Sequence, residues 1–150
     1  VAPQIKALRT QVIHGDANPE NILVAPSRRS VSGFIDFGDM LRAPLVFDVA
    51  IAAAYLRGDA ANALDLIVPF VSGFHAALPL TEAELQLLYD LVRARLAATV
   101  TLLYWRLGAR AHDDPYRQKT LQGEADAGRF LAVLDGLGRP GFEQALRQGL

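Results

Sequence analysis

The sequence contains no cysteine, and Lys6 and Lys119 are its only lysines. The absence of cysteine excludes disulfides and thiolate metal sites and fits a reducing compartment, so we expect a cytoplasmic protein. The net charge is -1 and the basic residues are spread along the chain, so no basic stripe can neutralise a nucleic-acid backbone. The most apolar windows, 43–56 and 96–105, are shorter than the roughly 20 residues that a membrane span needs. We therefore expect neither nucleic acid nor a membrane as a partner.

What the chain does contain predicts a folded α+β protein that is mostly helical. Hydrophobic residues make up 51% of its 150 residues and charged residues 21%, which is typical of globular proteins. Between residues 10 and 37 the runs QVIH, NILVA and VSGFIDF predict two or three short strands, with a hairpin at residues 26–30.

After Pro44 the pattern is helical. Gly58 and Gly108 are predicted to end helices, and Pro69 is predicted to kink one that runs towards His75. Thr81 and Glu84 have the spacing of a capping box ahead of a long helix. Further helices are predicted to begin at residues 115 and 140.

The segment HGDANPEN, residues 14–21, begins where the run QVI ends, and Ile-Asp-Phe-Gly follows at residues 35–38. Phosphoryl transfer needs a carboxylate that holds the attacking hydroxyl and takes its proton, together with oxygen ligands for Mg²⁺. Protein kinases supply these groups with H-R-D-x-x-x-x-N followed by Asp-Phe-Gly, in the same order and spacing. The pattern predicts Asp16 as the base and Asn21 and Asp36 as Mg²⁺ ligands. Asp16 and Asn21 could instead simply form turns.

These residues resemble the aminoglycoside phosphotransferase and choline kinase family, which carries HGDxxxxN, then I-D-[FW], then an Asp at the start of the next helix. Asp48 stands in that last place. VSGFIDFGDM with VFDVAIAAAYL is similar to the hydroxylysine kinase group and to phosphotransferase domains fused to class III aminotransferases. The resemblance implies the C-terminal lobe of the protein-kinase-like fold, with a small β-hairpin carrying the catalytic and metal loops. It also implies Mg²⁺ as cofactor, ATP or GTP as donor and a small hydroxylated amine as acceptor, with Asp48 bracing the loop through backbone hydrogen bonds.

The chain departs from the family pattern in having neither the glycine-rich loop nor the phosphate-binding Lys of the family's N-terminal lobe. We therefore expect one lobe, with the catalytic and metal loops in residues 1–42 and a helical substrate-binding part in residues 43–150. The missing lobe of the same polypeptide, and a fused aminotransferase domain, are the expected intramolecular partners. The 150 residues alone are expected to be inactive, and the apolar surface left uncovered could support a homodimer.

Three further groups have two interpretations each. Asp39 could approach the metal, although a loop Asp ahead of a helix is commonly a cap. Tyr104 and Trp105 could contact the substrate, although aromatic pairs at helix ends usually pack. Asp113 and Asp114 could attract a cationic amine, although they also suit a helix start.

Two other functions are compatible with the motif. In a metal-dependent phosphoester hydrolase, His14, Asp16 and Asp36 would ligate the metal, but Asn21 would have no role. If the chain is instead a kinase, His14 is expected to hold the loop by a hydrogen bond to the backbone rather than to bind a metal. A non-catalytic scaffold module is the third alternative. The acceptor, and the choice between ATP and GTP, cannot be inferred from the sequence.

Overall fold

The computed structural model describes residues 2–27, 30–58, 61–108 and 115–150, and only the backbone of residues 2, 3 and 115–125. Within these ranges the strands are β1 (Thr10–Ile13), β2 (Ile22–Val24), β3 (Val31–Phe34) and β4 (Leu41–Pro44). The helices are α1 (Ala2–Ile5), α2 (Val46–Tyr55), α3 (Ile67–Ala77), α4 (Glu82–Gly108) and α5 (Pro115–Gly149), with short 3₁₀ turns at Pro19–Asn21 and Phe37–Asp39. A mostly helical chain with small antiparallel sheets confirms the predicted α+β class.

The predicted hairpin is formed by β2 and β3. Ile22 pairs with Phe34 and Val24 with Val31, and the Ala25 N–H donates to the Ser30 carbonyl at 2.9 Å. β-branched and aromatic residues on both sides of a Pro-Ser turn favour this pairing. The hairpin carries the chain from the HGDANPEN segment directly to Asp36.

A second ribbon, which was not predicted, joins β1 to β4. Thr10 lies opposite Pro44 and Ile13 opposite Leu41. Pro44 cannot donate to a sheet ladder, but it occupies the end of an edge strand, where no donor is required. β1 leads into the HGDANPEN segment and β4 leads out of the Asp36 loop, so this ribbon closes the frame around both loops.

The prediction that Asp36 lies on a strand is wrong. β3 ends at Phe34, and Asp36 has a left-handed backbone with φ 61° and ψ 67°. Left-handed geometry cannot continue a pleated strand, and Asp is among the residues that adopt it at lowest cost. Asp36 therefore lies in a turn beyond the end of the hairpin.

The helices follow the sequence signals with one correction. In the capping box, the Thr81 N–H donates to Glu84 Oε2 at 2.7 Å and the Glu84 N–H donates to Thr81 Oγ1 at 3.3 Å. A left-handed Gly138 breaks α5 shortly before Pro140, where the sequence predicted that a last helix begins. Pro69, however, does not kink a helix, because α3 begins only at Ile67. In the first turn of a helix proline removes no hydrogen bond.

α4 is the central helix, and α2 and α5 both contact it. The core between the helices is aliphatic and aromatic, and its largest fully buried side chains include Ile67, Leu88, Leu96, Leu134 and Phe142. Within the described ranges no helix is both long and apolar enough to cross a membrane.

The segment ahead of β1 is tied to the start of α4. Arg9 Nε donates to Glu84 Oε1 at 2.8 Å, and Arg9 Nη2 donates to Glu84 Oε2 at 3.0 Å. Glu84 is fully buried, so this two-pronged contact compensates a charge that would otherwise be costly to bury. It fixes the β ribbons relative to the helical part.

Candidate active site

The start of the HGDANPEN loop is held by Asp48 in the first turn of α2. The backbone N–H groups of His14 and Gly15 donate to Asp48 Oδ2 and Oδ1, each at 2.8 Å. A half-buried carboxylate that accepts two backbone bonds makes the loop conformation specific. These are the contacts that the family resemblance implied for Asp48.

Gly15 is required by the geometry of the loop. Its φ is +81°, and a Cβ at this position would clash with the carbonyl oxygen of Asp39. A side chain would therefore be strained by the backbone angle and also push the Asp39 segment away. The close approach brings the Asp39 turn against the HGDANPEN loop.

His14 connects the two loops through backbone groups. Its Nε2 lies 2.9 Å from the Ile35 carbonyl, and its Nδ1 accepts from the Asp16 N–H at 3.4 Å. A carbonyl can only accept, so the ring hydrogen lies on Nε2. The ring also contacts Phe37, with 5.2 Å between ring centroids. His14 thus holds Asp16 and Ile35 in register.

Asp16 and Asn21 point towards each other. Asn21 Nδ2 lies 2.9 Å from the Asp16 carbonyl oxygen and 3.3 Å from its Oδ2, and Asn18 Nδ2 donates to the same Oδ2 at 2.9 Å. Asn21 is 7% exposed. Because its amide nitrogen is committed to Asp16, its amide oxygen is the group left for another ligand.

Asp36 lies one residue beyond the point where the two loops pair. The Ile35 N–H donates to the Asn21 carbonyl at 3.0 Å, which places the loop containing Asp36 beside Asn21. Asp36 is exposed, and its carboxylate makes no hydrogen bond to any other described residue. The Asn21 amide oxygen and the Asp36 carboxylate are thus both without a hydrogen bond to other described residues, and such oxygen donors suit the hard-oxygen preference of Mg²⁺.

The sequence did not single out Arg95, which binds Asp16 from α4. Its Nη2 donates to Asp16 Oδ1 at 3.1 Å and to the Tyr55 hydroxyl at 3.1 Å. The Arg95 and Asp16 side chains are 29% and 25% exposed. Arg95 Nε is buried and finds no hydrogen-bond partner among the described residues. The carboxylate of Asp16 is therefore held from both sides, by amides of its own loop and by a guanidinium.

A cavity of about 370 Å³ opens beside Asp16. The loops contribute three of its lining residues, α2 one and α4 five; they are Gly15, Asp16, Asp39, Tyr55, Arg95, Thr99, Leu102, Leu103 and Arg106. Its size suits a small organic molecule. The five α4 residues follow helical spacing, i, i+4, i+7, i+8 and i+11, so they share one face. That spacing, with arginines at both ends of an apolar stripe, is the signal that could have identified the wall from the sequence.

Of the other site residues proposed from the sequence, only Asp39 lies at this cavity among the residues that the structure describes. Asp39 lines this cavity, and it does not cap α2, whose preceding residue is Leu45. Tyr104 and Trp105 are 64% and 74% exposed and are not among the cavity residues. Asp113 and Asp114 lie outside the described residues.

The metal-hydrolase alternative receives no support from the geometry. Both ring nitrogens of His14 are occupied by backbone partners, so neither is available as a ligand without breaking the link between the loops. In the described part of the chain, no three His, Asp or Glu side chains converge as a metal site would require.

Comparison with known proteins agrees with this geometry. Residues 1–79 match the model of the phosphotransferase enzyme family. The chain is 33% identical over 119 residues to hydroxylysine kinase of Danio rerio, which covers 77% of the chain and 34% of that protein. It is 34% identical over 109 residues to hydroxylysine kinase of Mus musculus, covering 68% of the chain and 29% of that protein. With the Xenopus laevis hydroxylysine kinase the identity is 26% over 152 residues, covering 96% of the chain and 40% of that protein.

The loop geometry and the family match together define a phosphotransferase-type fold. The chain belongs to the phosphotransferase enzyme family, and it is similar to hydroxylysine kinases. It spans about a third of the length of these relatives.

Proposed function

We propose that the chain is the C-terminal lobe of a small-molecule kinase, which transfers the γ-phosphoryl group of ATP or GTP to a hydroxyl of a small amine or amino alcohol. The observation that carries the proposal is the convergence of Asp16 and Asn21, with Asn21 Nδ2 3.3 Å from Asp16 Oδ2, next to the pairing of Asn21 with the Asp36 loop. The names of the relatives favour a hydroxylysine-like acceptor, with ethanolamine-like compounds and aminoglycosides as further members of the same class.

In the proposed reaction, Asp16 accepts the proton of the acceptor hydroxyl. The hydroxyl oxygen forms a bond to the γ-phosphorus while the bond from that phosphorus to the β–γ bridging oxygen breaks, and a nucleoside diphosphate leaves. The amides of Asn18 and Asn21 hold Asp16 Oδ2, so the carboxylate is oriented as a base before the acceptor binds.

Asn21 and Asp36 would hold Mg²⁺, which supplies charge neutralisation of the nucleotide phosphates when bound. The fit rests on donor chemistry, because an amide oxygen and a carboxylate uncommitted to other described residues are the kinds of ligand that Mg²⁺ takes from proteins. Asp36 would keep its exposed position so that phosphate oxygens and waters can complete the coordination.

The nucleotide would be covered by an N-terminal lobe from the same polypeptide. In support, the β ribbons expose many apolar side chains, among them Val12, Leu23, Val24, Val31 and Phe34, each 46–58% exposed. Exposed apolar surface of this kind is typical of a face that another part of a protein covers. Without such a lobe, the 150 residues would be inactive and could self-associate.

The test is steady-state kinetics on the full-length polypeptide that contains this chain, with Mg²⁺, ATP or GTP and the acceptors named above. We expect Asp16→Asn to lower kcat by about 10²–10⁴-fold, the usual contribution of a general base. Asp36→Asn should raise the Mg²⁺ concentration needed for half-maximal activity and lower turnover. Chelation of Mg²⁺ by EDTA should abolish turnover of the wild type reversibly.

The matched control is Asp65→Asn. Asp65 is exposed, and its carboxylate makes no hydrogen bond within the described ranges. It should retain wild-type turnover. Wild-type rates in both Asp16→Asn and Asp36→Asn would show that the assigned roles are wrong, and nucleotide-independent phosphoester hydrolysis would favour the hydrolase alternative.

A further inference from the structure

The cavity beside Asp16 carries both signs of charge. Asp16 and Asp39 line it from the loops, and Arg95 and Arg106 line it from α4. An acceptor with only amino groups would be attracted by the two carboxylates but repelled by the two guanidinium groups. A zwitterion can satisfy both, so the charges favour an acceptor that also carries an acid group.

The arginines are incompletely paired. Arg106 is exposed and forms no ion pair or hydrogen bond within the described residues. Asp16 is the single carboxylate that Arg95 contacts in the described part of the chain, and Arg95 Nε lacks a hydrogen-bond partner there. An under-bonded guanidinium at the edge of a cavity can gain from a carboxylate, which it binds through two parallel N–H groups.

We propose that Arg95, assisted by Arg106, binds a carboxylate of the acceptor and makes the enzyme specific for hydroxy amino acids over the corresponding amino alcohols. The inference rests on the proposed kinase function and concerns the same site. When the acceptor binds, its carboxylate replaces Asp16 as the partner of Arg95. Asp16 Oδ1 then becomes available to the acceptor hydroxyl, while Asn18 and Asn21 continue to hold Oδ2. Arg95 is thus a specificity-determining residue whose carboxylate partner changes on binding.

A simpler interpretation is that Arg95 only braces Asp16. In that case its loss would slow the phosphorylation of every acceptor equally, because the base itself would be misplaced. A third interpretation is that the arginines serve the nucleotide phosphates, in which case their loss would raise KM for the nucleotide. The ratio of kcat/KM for an acid to that for its decarboxylated analogue separates these roles, because a general effect on Asp16 cancels in the ratio.

The experiment uses the full-length protein and three matched pairs of acceptors. They are hydroxylysine with the diamino alcohol left by its decarboxylation, homoserine with its amino alcohol, and serine with ethanolamine. Initial rates with Mg²⁺ and saturating nucleotide give the kcat/KM ratio for each pair, and rates at varied nucleotide concentration give the KM for nucleotide. The variants are Arg95→Met, Arg95→Lys and Arg106→Met.

Arg93→Met is the matched control, since it removes the same charge from the same helix. Arg93 points to another face of α4, where its Nε donates to Asp135 Oδ1 at 2.6 Å, and it does not line the cavity. It should preserve the acid-to-alcohol ratio. Thermal unfolding of each variant checks that a lost preference is not a lost fold.

We expect the wild-type protein to prefer the acid in the pair it uses. Arg95→Met should lower that preference by about 10–100-fold, the loss expected when a charge-assisted hydrogen bond disappears, chiefly through a higher KM for the acid. Arg106→Met should lower it less, and Arg95→Lys should restore part of it. A wild type that uses the amino alcohol as well as the acid would contradict the inference. An Arg95→Met variant with an unchanged ratio, or with a raised KM for nucleotide only, would also contradict it. If the wild type phosphorylates none of these acceptors and no aminoglycoside, the proposed function itself fails.

Discussion

The bonds from the backbone of His14 and Gly15 to Asp48 offer a direct test of how the catalytic loop is held. Asp48→Ala would remove both acceptors, leaving two half-buried N–H groups at the start of the loop. A hydrogen bond to a charged group contributes about 1.5–3 kcal/mol, and we take the lower figure because water can reach the loop. The carboxylate also lies in the first turn of α2, where a negative charge contributes about 0.3–1 kcal/mol. The expected loss is therefore about 3–4 kcal/mol.

Urea unfolding followed by circular dichroism would measure this loss. Amide hydrogen exchange would locate it, because protection of the His14 and Gly15 amides should fall more than that of amides in the core of α4. Asp48→Asn retains one acceptor oxygen, so it should lose about half as much stability. Asp65→Ala, which removes an exposed carboxylate, should stay within about 0.5 kcal/mol of wild type. A loss below about 1 kcal/mol in Asp48→Ala, with both amides still protected, would refute the bracing role.

Two other predictions concern the backbone and the buried charge. Gly15→Ala should destabilise the protein by about 1–3 kcal/mol, because Gly15 has a positive φ and lies against the Asp39 carbonyl. Gly73→Ala is the control, since Gly73 lies in a helix with open space around it, and it should stabilise the protein by about 0.5–1 kcal/mol. Equal effects of the two substitutions in urea unfolding would contradict this prediction. Burial acts to raise the pKa of Glu84, but hydrogen bonds from Arg9 and Thr81 outweigh it and lower the pKa below its ordinary value of 4.5. The stabilisation of the folded protein by ionised Glu84 is therefore complete above pH 4.5 and is lost as the pH falls through the lowered pKa. The free energy of unfolding should then fall more steeply below pH 4.5 in the wild type than in Glu84→Gln. Parallel pH profiles of the two proteins would show that Glu84 does not contribute.

Local signals in the sequence predicted the parts of the fold that depend on neighbouring residues. The capping box of Thr81 and Glu84 and the hairpin between β2 and β3 were both predicted, because capping and turn chemistry act over a few residues. The β1–β4 ribbon was not predicted. Its strands are separated by both loops, and Pro44 at the end of β4 is atypical of a strand.

In the candidate site, too, features set by neighbouring residues were predicted from the sequence and contacts between distant residues were not. The spacing of Asp16, Asn21 and Asp36 is local enough to be recognised as a motif, and its assignment to catalysis and metal binding remains a prediction. The contact between Asp16 and Arg95 was not predicted, because helical spacing shows which α4 residues share a face but not which distant loop that face meets. The left-handed turn at Asp36 was missed because Ile-Asp-Phe continues the pattern of a strand.

The account depends most on the claim that Asp16, Asn21 and Asp36 surround one reaction centre, with Asp16 as the base and the other two residues as Mg²⁺ ligands. The most direct measurement is a crystal structure of the full-length protein with Mg²⁺, a non-hydrolysable nucleotide and a hydroxylated amine. We predict that the Asn21 amide oxygen and the Asp36 carboxylate lie about 2.0–2.1 Å from the metal, with the acceptor hydroxyl within hydrogen-bonding distance of Asp16. A metal bound by other side chains, or an acceptor hydroxyl turned away from Asp16, would contradict it.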